Sequence, residues 1–404
     1  MRYVTLALII APALAAGTVA ADLVDRWLTT RIVVHLNDKQ KITVRLTSTA
    51  TRDSGTTWRG ETVETGEPAL LMGWKDGKSS GMFAYRGRVY TFQKTTGADG
   101  KVRAVAELDP ERIAAQHEAM NAQAPQQKEK SLASRSITSL LQRRTRTAED
   151  QQHARPAAAA ADVGRFAAPP ISPISLAQRR ELAAKKTTID VMVLYTRKAA
   201  SNYVDVETDL IAHAIEEANA SFRNSGIGNI ALRLSHSQAI DYAETDRDHF
   251  NHLYRMVDGI GPFEKVHALR NERRADVVLL IVDDASGCGL ATRVAADAEE
   301  AFAVVHHACA ALMYSIPHEI GHIIGARHDA AVDQTPSALP YGHGYVSGTK
   351  WRDIMSYGAG CNGCPRLPIW SNPTIKIKGE PAGTLIADNA RLLLEQADRV
   401  ASFR

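Results

Sequence analysis

The chain has 404 residues, of which 45% are hydrophobic, and it carries 48 lysine and arginine residues against 45 aspartate and glutamate residues. This length is enough for two ordinary domains, and the apolar content supports a packed core. The basic residues lack interleaved aromatic residues, and no apolar run after the N-terminus could cross a bilayer, so we expect neither a nucleic-acid partner nor a membrane anchor.

The charge is distributed unevenly. Residues 1–185 carry 27 lysine and arginine residues against 18 acidic residues, whereas residues 186–404 carry 21 against 27. Because opposite charges attract, this asymmetry suits a basic pro-segment that covers the acidic second half. A basic linker that is merely soluble is the alternative interpretation.

The N-terminus has the features of a secretory signal peptide. Arg2 precedes an apolar stretch from Tyr3 to Ala16, and small residues then precede Asp22. Residues 1–21 are therefore predicted to be a signal peptide that is removed on export. We expect a secreted, extracellular protein.

Residues 22–109 have the pattern of a small β-rich domain. Ile42 to Leu46 alternates apolar and polar residues, and the sequences on either side of Arg86-Gly87-Arg88 predict a hairpin. The segment has no cluster of potential metal ligands, so we expect an intramolecular prodomain that aids folding or inhibits the catalytic half. A free-standing binding module is the alternative.

Residues 110–185 are predicted to be a disordered linker that contains the maturation site. The segment is rich in alanine and glutamine, and its prolines would interrupt any helix. Dibasic pairs such as Arg143-Arg144 and Arg179-Arg180 would be exposed there, where proteolysis concentrates. We predict cleavage between about residue 165 and residue 187.

From Lys186 onward the pattern is that of an α/β domain. Pro317 would interrupt a helix begun at Ala310, so the last helix before residue 325 is predicted to start near Ser315. The other predicted elements are strands at 188–195, 230–240, 275–282 and 301–305, and helices at 204–224, 249–257 and 263–270.

Residues 318–329 read His-Glu-Ile-Gly-His-Ile-Ile-Gly-Ala-Arg-His-Asp. On a helix, His318 and His322 project from one face at the spacing that Zn²⁺ requires. Gly325 can end the helix at positive φ and so bring His328 back as a third ligand. Three protein ligands leave one position for water, as in catalytic zinc sites.

Glu319 follows the first histidine and is placed to reach a zinc-activated water rather than the metal. We expect Glu319 to take a proton from the attacking water and to deliver it to the leaving amine. One Zn²⁺ is the expected cofactor, and proteins or peptides are the expected substrates. The neighbouring carboxylates of Asp283 and Asp284 are potential ligands for Ca²⁺, and the sequence leaves open whether they bind it.

The histidine run resembles the signature of the metzincin zinc peptidases, H-E-x-x-H-x-x-G-x-x-H, and Met355 resembles their Met-turn. The resemblance implies a metzincin catalytic domain over residues 186–404, with a mixed twisted sheet, a zinc helix and Met355 as a hydrophobic floor beneath the metal. Residues 301–305 resemble the sheet-edge strand on which metzincins bind extended substrates.

Two positions point to different metzincin branches. Tyr357 stands where the astacin and serralysin branches have a tyrosine that can approach the zinc or stabilise the intermediate. Asp329 instead resembles the reprolysin branch, which does not use that tyrosine. Tyr357 is therefore a candidate catalytic residue, and Asp329 is expected to fix the structure behind His328 through hydrogen bonds.

Several segments together resemble the bacterial peptidyl-Asp metalloendopeptidases, secreted reprolysin-like enzymes that cut on the amino side of aspartate or related acidic residues. These segments are residues 287–291, the histidine run, residues 353–358 and residues 364–373. Acid preference would need a cation in the pocket beyond the Met-turn. Arg352 and Arg366 are the arginines of that region, and arginine binds carboxylates in a bidentate manner. Arg366 is the candidate, and an ordinary surface role is the alternative for both residues.

All four cysteines lie in the second half of the chain. An even number in an exported protein predicts two disulfide bonds, for which three pairings exist, and we favour Cys288 with Cys309 and Cys361 with Cys364. No cysteine precedes residue 288, so a prodomain thiol cannot be a zinc ligand in a latent form.

The predicted function is that of a secreted zinc endopeptidase made as a zymogen. The alternatives are a broad-specificity metzincin protease, a catalytically silent protein that retains zinc, and a zinc hydrolase of cell-wall crosslinks. Intact Glu319 and the three histidines argue against the silent protein. His306, His307 and His343 are expected to be packed or exposed rather than to be metal ligands.

Overall fold

A computed structural model describes residues 31–36, 39–52, 55–74, 79–86, 88–93, 102–108, 171–244 and 248–404. The predicted signal peptide and most of the predicted linker lie outside the described residues. Among the residues that are described, no helix combines the length and the apolar character needed to span a lipid bilayer.

The first described part is a closed β-barrel of seven strands that follow each other in chain order. Neighbouring strands pair antiparallel, and the last strand closes the barrel by pairing in parallel with the first. The strands are β1 (Arg31–His35), β2 (Lys41–Arg52), β3 (Gly55–Thr62), β4 (Pro68–Trp74), β5 (Ser79–Tyr85), β6 (Arg88–Gln93) and β7 (Val102–Leu108).

The barrel has its own apolar core. Successive residues of a strand point to opposite faces, so every second residue can face the inside of the barrel. Val34, Ile42, Phe83 and Tyr90 belong to this core, and the rings of Phe83 and Tyr90 stack across neighbouring strands. The predicted hairpin is confirmed as β5 and β6, which pair from Ser80 to Tyr85.

The second part is an α/β domain built on a mixed five-stranded sheet in the order β11-β12-β10-β8-β9. Only β11 runs antiparallel to its neighbour. The strands are β8 (Thr187–Thr196), β9 (Ile230–Ile240), β10 (Val277–Val282), β11 (Gly289–Ala291) and β12 (Phe302–His306).

The prediction that residues 301–305 form the edge of the sheet is wrong. That segment is β12, which lies between β10 and β11, so the edge on this side of the sheet is the three-residue strand β11. β12 is buried along its whole length, as a strand with neighbours on both sides should be.

Seven α-helices pack around this sheet or join its strands. They are α1 (Leu176–Ala184), α2 (Arg197–Ala200), α3 (Ala212–Asn224), α4 (His249–Val257), α5 (Val266–Glu272), α6 (Ser315–Ile324) and α7 (Asn389–Val400), and a π-helical turn at Glu207–Ile211 leads into α3. Short 3₁₀ turns occur at Gly261–Phe263, Ala298–Glu300, His307–Cys309 and Gly358–Cys361, and two ribbons pair β13 (Val346–Ser347) with β14 (Trp351–Arg352) and β15 (Asn372–Ile377) with β16 (Glu380–Ala382).

The C-terminal end of the predicted linker is folded. Ser175 begins α1 with a capping box, and Ile171 and Leu182 pack against the core of the α/β domain. The Arg179 guanidinium donates two hydrogen bonds to the carboxylate of Asp388, which precedes α7. The prediction of an exposed dibasic pair is therefore wrong for Arg179.

Both predicted disulfide bonds are confirmed. Cys288 is joined to Cys309, which ties the start of the edge strand to the segment before α6. Cys361 is joined to Cys364 and closes a tight loop beyond the Met-turn.

Candidate active site

Helix α6 starts at Ser315, as Pro317 predicted, and all of its residues are buried. Tyr314 precedes it in the left-handed conformation, with φ of 60°. Pro317 stands in the first turn, where its missing N–H is not needed for an intrahelical hydrogen bond.

Gly321 allows α6 to approach the core closely. A Cβ atom at this position would lie 2.8 Å from the ring of Trp370 and 3.1 Å from the sulfur of Met355. Glycine inside a helix costs about 1 kcal/mol relative to alanine, so packing explains its presence here. The residue predicted to form the Met-turn thus lies directly beneath the helix of the histidine motif.

Three imidazoles converge at the end of α6. Gly325 ends the helix with φ of 135°, as predicted, and the chain turns so that His328 faces the two helical histidines. The Nε2 atoms of His318 and His322 lie 3.1 Å apart, and that of His328 lies 3.2 Å from the first and 3.0 Å from the second.

Backbone carbonyls determine which nitrogen carries the proton in two of these rings. Nδ1 lies 2.9 Å from the oxygen of Ile354 in His318, and 2.8 Å from the oxygen of Ala326 in His322. Because a carbonyl only accepts, each Nδ1 donates and each Nε2 presents a lone pair to the centre of the group. Burial and the two neighbouring histidines hold the pKa of His318 well below its usual range, which keeps it neutral.

These nitrogens fit a metal ion. Bonds of 2.0–2.1 Å in a tetrahedral site separate histidine nitrogens by about 3.3 Å, close to the separations found here. Two lone pairs facing each other repel unless a cation lies between them. The donor set therefore suits Zn²⁺ or a similar transition-metal ion.

The loop that carries His328 is held in place by hydrogen bonds. Nδ1 of His343 donates to the backbone oxygen of His328 at 2.9 Å, so His343 is packed behind this group. The carboxylate of Asp329 accepts from the backbone N–H of Tyr357 at 3.3 Å. The ring of Tyr357 lies 4.3 Å from the ring of His328, centroid to centroid.

A buried carboxylate organises the turn that contains Met355. Asp353 accepts hydrogen bonds from the backbone N–H of Met355 at 3.1 Å, the hydroxyl of Ser356 at 2.6 Å and the backbone N–H of Ser371 at 3.0 Å. Burial raises the pKa of Asp353 to about 7, and these hydrogen bonds oppose the shift. Sequence reasoning missed this residue, although an aspartate at the start of a tight turn is a known turn signal.

Glu319 lies against the edge strand β11. A Cβ atom at Gly289 would be 2.3 Å from Oε1 of Glu319 and 2.9 Å from its carboxyl carbon. Only glycine leaves room for the carboxylate at this point. The sheet edge, Glu319 and the three histidines thus belong to one region of the α/β domain.

We predict that Gly289→Ala lowers peptidase activity by about tenfold to a hundredfold, because the added methyl group displaces the Glu319 carboxylate and such groups need exact placement. Metal content should not change, since the three atoms nearest to the added carbon all belong to Glu319 and not to a proposed metal ligand. The control is Gly348→Ala, a position with no neighbouring atom within 4 Å of the added carbon but with positive φ, which reports the cost of backbone strain alone. Equal activities of the wild type and Gly289→Ala would contradict the prediction.

Arg366 connects the two segments that flank the histidine motif. Its Nη1 donates to the backbone oxygen of Met313 at 3.0 Å, and its Nη2 donates to that of Ser356 at 3.2 Å. Its charge contributes to the lowered pKa of His318, which places it near the histidines. Arg352 is instead buried against Gly358 and donates to the oxygen of Cys364.

A second group of potential ligands is formed by Asp283, His306 and His307, whose ligand atoms lie within 4.8 Å of one another. Nε2 of His307 lies 2.8 Å from Asp283, and Nζ of Lys198 pairs with the same carboxylate at 2.9 Å. Nδ1 of His306 accepts from the N–H of Ala308 at 3.0 Å. Both histidines are buried and hydrogen-bonded, so we interpret the group as packed, in line with the prediction for both histidines.

Comparison with known proteins finds similar sequences for the domain that contains this site. Residues 185–367 match the family model Reprolysin_5, described as metallo-peptidase family M12. A peptidyl-Asp metalloendopeptidase of Xanthomonas campestris pv. campestris is 41% identical over 218 residues, which cover 54% of this chain and 52% of the relative. One from Stenotrophomonas maltophilia is 39% identical over 227 residues, with coverage of 54% and 53%.

The chain therefore spans about half the length of the curated relatives it matches. A solved structure, metalloproteinase-II from Bacteroides fragilis, aligns over 86% of this chain and 90% of its own with 11% identity and a TM-score of 0.39, too low to support an argument. In sequence, residues 185–367 are thus similar to the metallo-peptidases of family M12, and the chain resembles the peptidyl-Asp metalloendopeptidases over about half of its length.

Proposed function

We propose that the chain is a secreted, zinc-dependent endopeptidase in which His318, His322 and His328 are the metal ligands. The observation that carries the proposal is the convergence of three imidazole nitrogens beside Glu319, within a domain of a metallo-peptidase family. When bound, zinc would supply Lewis acidity toward a peptide carbonyl and a water molecule.

Glu319 acts as the general base and then as the general acid. Its carboxylate takes a proton from the attacking water and gives the proton to the nitrogen of the leaving amine. Gly289 keeps the edge strand close to that carboxylate. In the order of the sheet, β11 is the last strand, so an extended substrate segment can pair with its outer side.

The principal test is hydrolysis of casein by the purified, secreted protein with and without a zinc chelator. We expect hydrolysis to fall at least about a hundredfold when the metal is removed and to return when Zn²⁺ is added, because metal catalysis contributes several kcal/mol. A catalytically silent, zinc-retaining protein would show no hydrolysis in any arm. Hydrolysis that is insensitive to chelation would also overturn the proposal.

We further propose a preference for cleavage on the amino side of aspartate or related acidic residues, with Arg366 as the cation that reads the side chain. The proposal is supported by the resemblance to enzymes named for peptidyl-Asp cleavage and by the place of Arg366 between Met313 and Ser356. A broad-specificity protease is the alternative.

Arg366→Ala is expected to lower the ratio of kcat/KM for aspartate-containing over alanine-containing peptides by about tenfold to a hundredfold, because a charge-assisted hydrogen bond contributes 1.5–3 kcal/mol. Lys350→Ala, which removes an exposed cation paired with Glu380, is the control and should leave the ratio unchanged. The ratio is measured on paired peptides that differ at one position. An unchanged ratio in Arg366→Ala would exclude Arg366 as the specificity residue.

Tyr357 is proposed as a group that stabilises the reaction intermediate. Its ring already lies against that of His328. Tyr357→Phe keeps this ring contact and removes only the hydroxyl group, so we expect a lower kcat. An unchanged kcat would show that Tyr357 only packs against His328.

The β-barrel is proposed to be an inhibitory pro-segment that is removed on maturation. Because Ile171 and Leu182 pack against the α/β domain and Arg179 binds Asp388, we place the cut on the N-terminal side of Ile171. N-terminal sequencing of the secreted, mature protein tests this position directly.

A further inference from the structure

The outer face of the barrel carries buried apolar residues. Ala69 and Leu71 belong to the core inside the barrel, so Leu70 between them points outward. Leu70 is nevertheless only 1% exposed, and the same holds for Met82, the neighbour of the inward-facing Phe83. Both side chains belong to the same apolar cluster as the core of the α/β domain.

Leu70 and Met82 belong to a row of paired residues that has the charged residue Arg59 at one end. Across the three strands, Arg59 of β3 pairs with Leu70 of β4, and Leu70 pairs with Met82 of β5. Residues that are directly opposite in an antiparallel ladder share one face. Arg59, Leu70 and Met82 therefore make a continuous patch, called the docking row.

The charged end of the docking row binds helix α3. Arg59 donates to the carboxylate of Glu217 through Nη1 and to the carboxylate of Glu216 through Nη2, the latter at 3.1 Å. The side chains of both glutamates are at most 5% exposed. Glu216 also pairs with Arg223 of the same helix at 2.7 Å, whereas the cation bound to Glu217 comes from the barrel.

A buried carboxylate is costly unless a cation accompanies it. Burial raises the pKa of Glu217, and the charge of Arg59 lowers it again. Both residues also act on the pKa of Tyr314, which Glu217 raises and Arg59 lowers, so their contact lies near the start of α6. Loss of the barrel would thus leave Glu217 without this cation beside the helix of the histidine motif.

We propose that the docking row is the surface by which the barrel stays bound to the α/β domain after the linker is cut, with Arg59 as the anchor for Glu217. The barrel is a closed unit with its own core, so it can persist as a folded partner once the covalent connection is lost. The proposal extends the proposed role of the barrel as a pro-segment. It rests on the contacts with α3 and not on catalysis.

The test uses the full chain with Glu319→Ala, which prevents self-cleavage, and with a recognition sequence for a site-specific protease inserted between Ala160 and Ala161. After cleavage, size-exclusion chromatography shows whether the barrel and the α/β domain elute together. We expect co-elution, and we expect Arg59→Glu to weaken the complex at least about a hundredfold so that the two parts separate. Adding Glu217→Arg to Arg59→Glu should restore co-elution.

Arg45→Glu is the matched control, because Arg45 forms an exposed ion pair with Glu61 on the same barrel and should leave the complex intact. If the uncleaved Arg59→Glu variant does not unfold cooperatively on heating, Arg59→Met is tested in its place. After cleavage of that variant, the barrel and the α/β domain are also expected to separate. Immediate dissociation of the unsubstituted barrel, or co-elution of the folded Arg59 variant at the wild-type level, would overturn the proposal. Since every arm lacks Glu319, these outcomes report binding alone and leave the proposed peptidase function untouched.

Discussion

Glu319→Ala is expected to lower peptide hydrolysis by about a hundredfold to ten-thousandfold or more while the bound metal is retained. In the proposed mechanism the carboxylate transfers a proton at two steps, and the variant has no group at this position to replace it. The histidines are expected to keep their positions, because backbone carbonyls orient His318 and His322. Metal content by atomic absorption and kcat/KM on a peptide substrate measure the two effects separately.

His322→Ala is the matched comparison, because it removes a proposed ligand and should lose both the metal and the activity. A metal-loaded Glu319→Ala protein that still hydrolyses peptides would contradict the role of Glu319. Loss of the metal from that variant would instead show that Glu319 contributes to ligation.

Trp370→Ala is expected to lower the free energy of unfolding by about 3–5 kcal/mol, the usual cost of truncating a large buried side chain. Trp370 is fully buried, and its ring stacks on Phe222 with centroids 5.7 Å apart. Its indole N–H donates to the hydroxyl of Ser221 at 2.9 Å, and its backbone N–H donates to the hydroxyl of Ser225 at 2.7 Å. The truncation opens a cavity directly under Gly321.

Chemical denaturation of the purified protein measures this loss. Trp370→Phe should cost less, since an aromatic ring still fills most of the space. Leu385→Ala is the surface control, because Leu385 is 48% exposed and should change stability by less than about 0.5 kcal/mol. A loss below about 1 kcal/mol for Trp370→Ala would show that the core closes around the missing ring.

The histidine group could be read from the sequence because its information is local. A spacing of four on a helix and a glycine with positive φ are sufficient to bring His318, His322 and His328 together, and Pro317 sets where the helix begins. The disulfide pairing of Cys361 with Cys364 was equally local. These features depend on residues within a few turns of one another.

The surroundings of the site could not be read in this way, since they depend on contacts between distant segments. Gly289 is 30 residues from Glu319, and its role is visible only once β11 lies beside α6. The three-residue β11 is too short to show a periodic pattern, so the neighbouring β12 was taken for the edge. Asp353 organises the Met-turn partly through Ser371, which the turn signal alone does not reveal.

Contacts between distant segments also explain why the sequence predicts disorder where the end of the linker is folded. The composition of residues 110–185 predicts disorder, and α1 has no fully buried residue of its own. Its position depends on Asp388, which lies 209 residues beyond Arg179. A helix held by such a distant partner leaves little trace in its own sequence.

The closure of the barrel limits how it can act on the α/β domain. All seven strands have neighbours on both sides, so none of them has an open edge with which to pair with β11 in the manner of an extended peptide. If the barrel inhibits the α/β domain as proposed, it does so through side chains or through segments outside these strands. An extended peptide and the barrel would then contact the α/β domain in different ways, the peptide by strand pairing with β11 and the barrel by side-chain contacts such as that of Arg59 with Glu217.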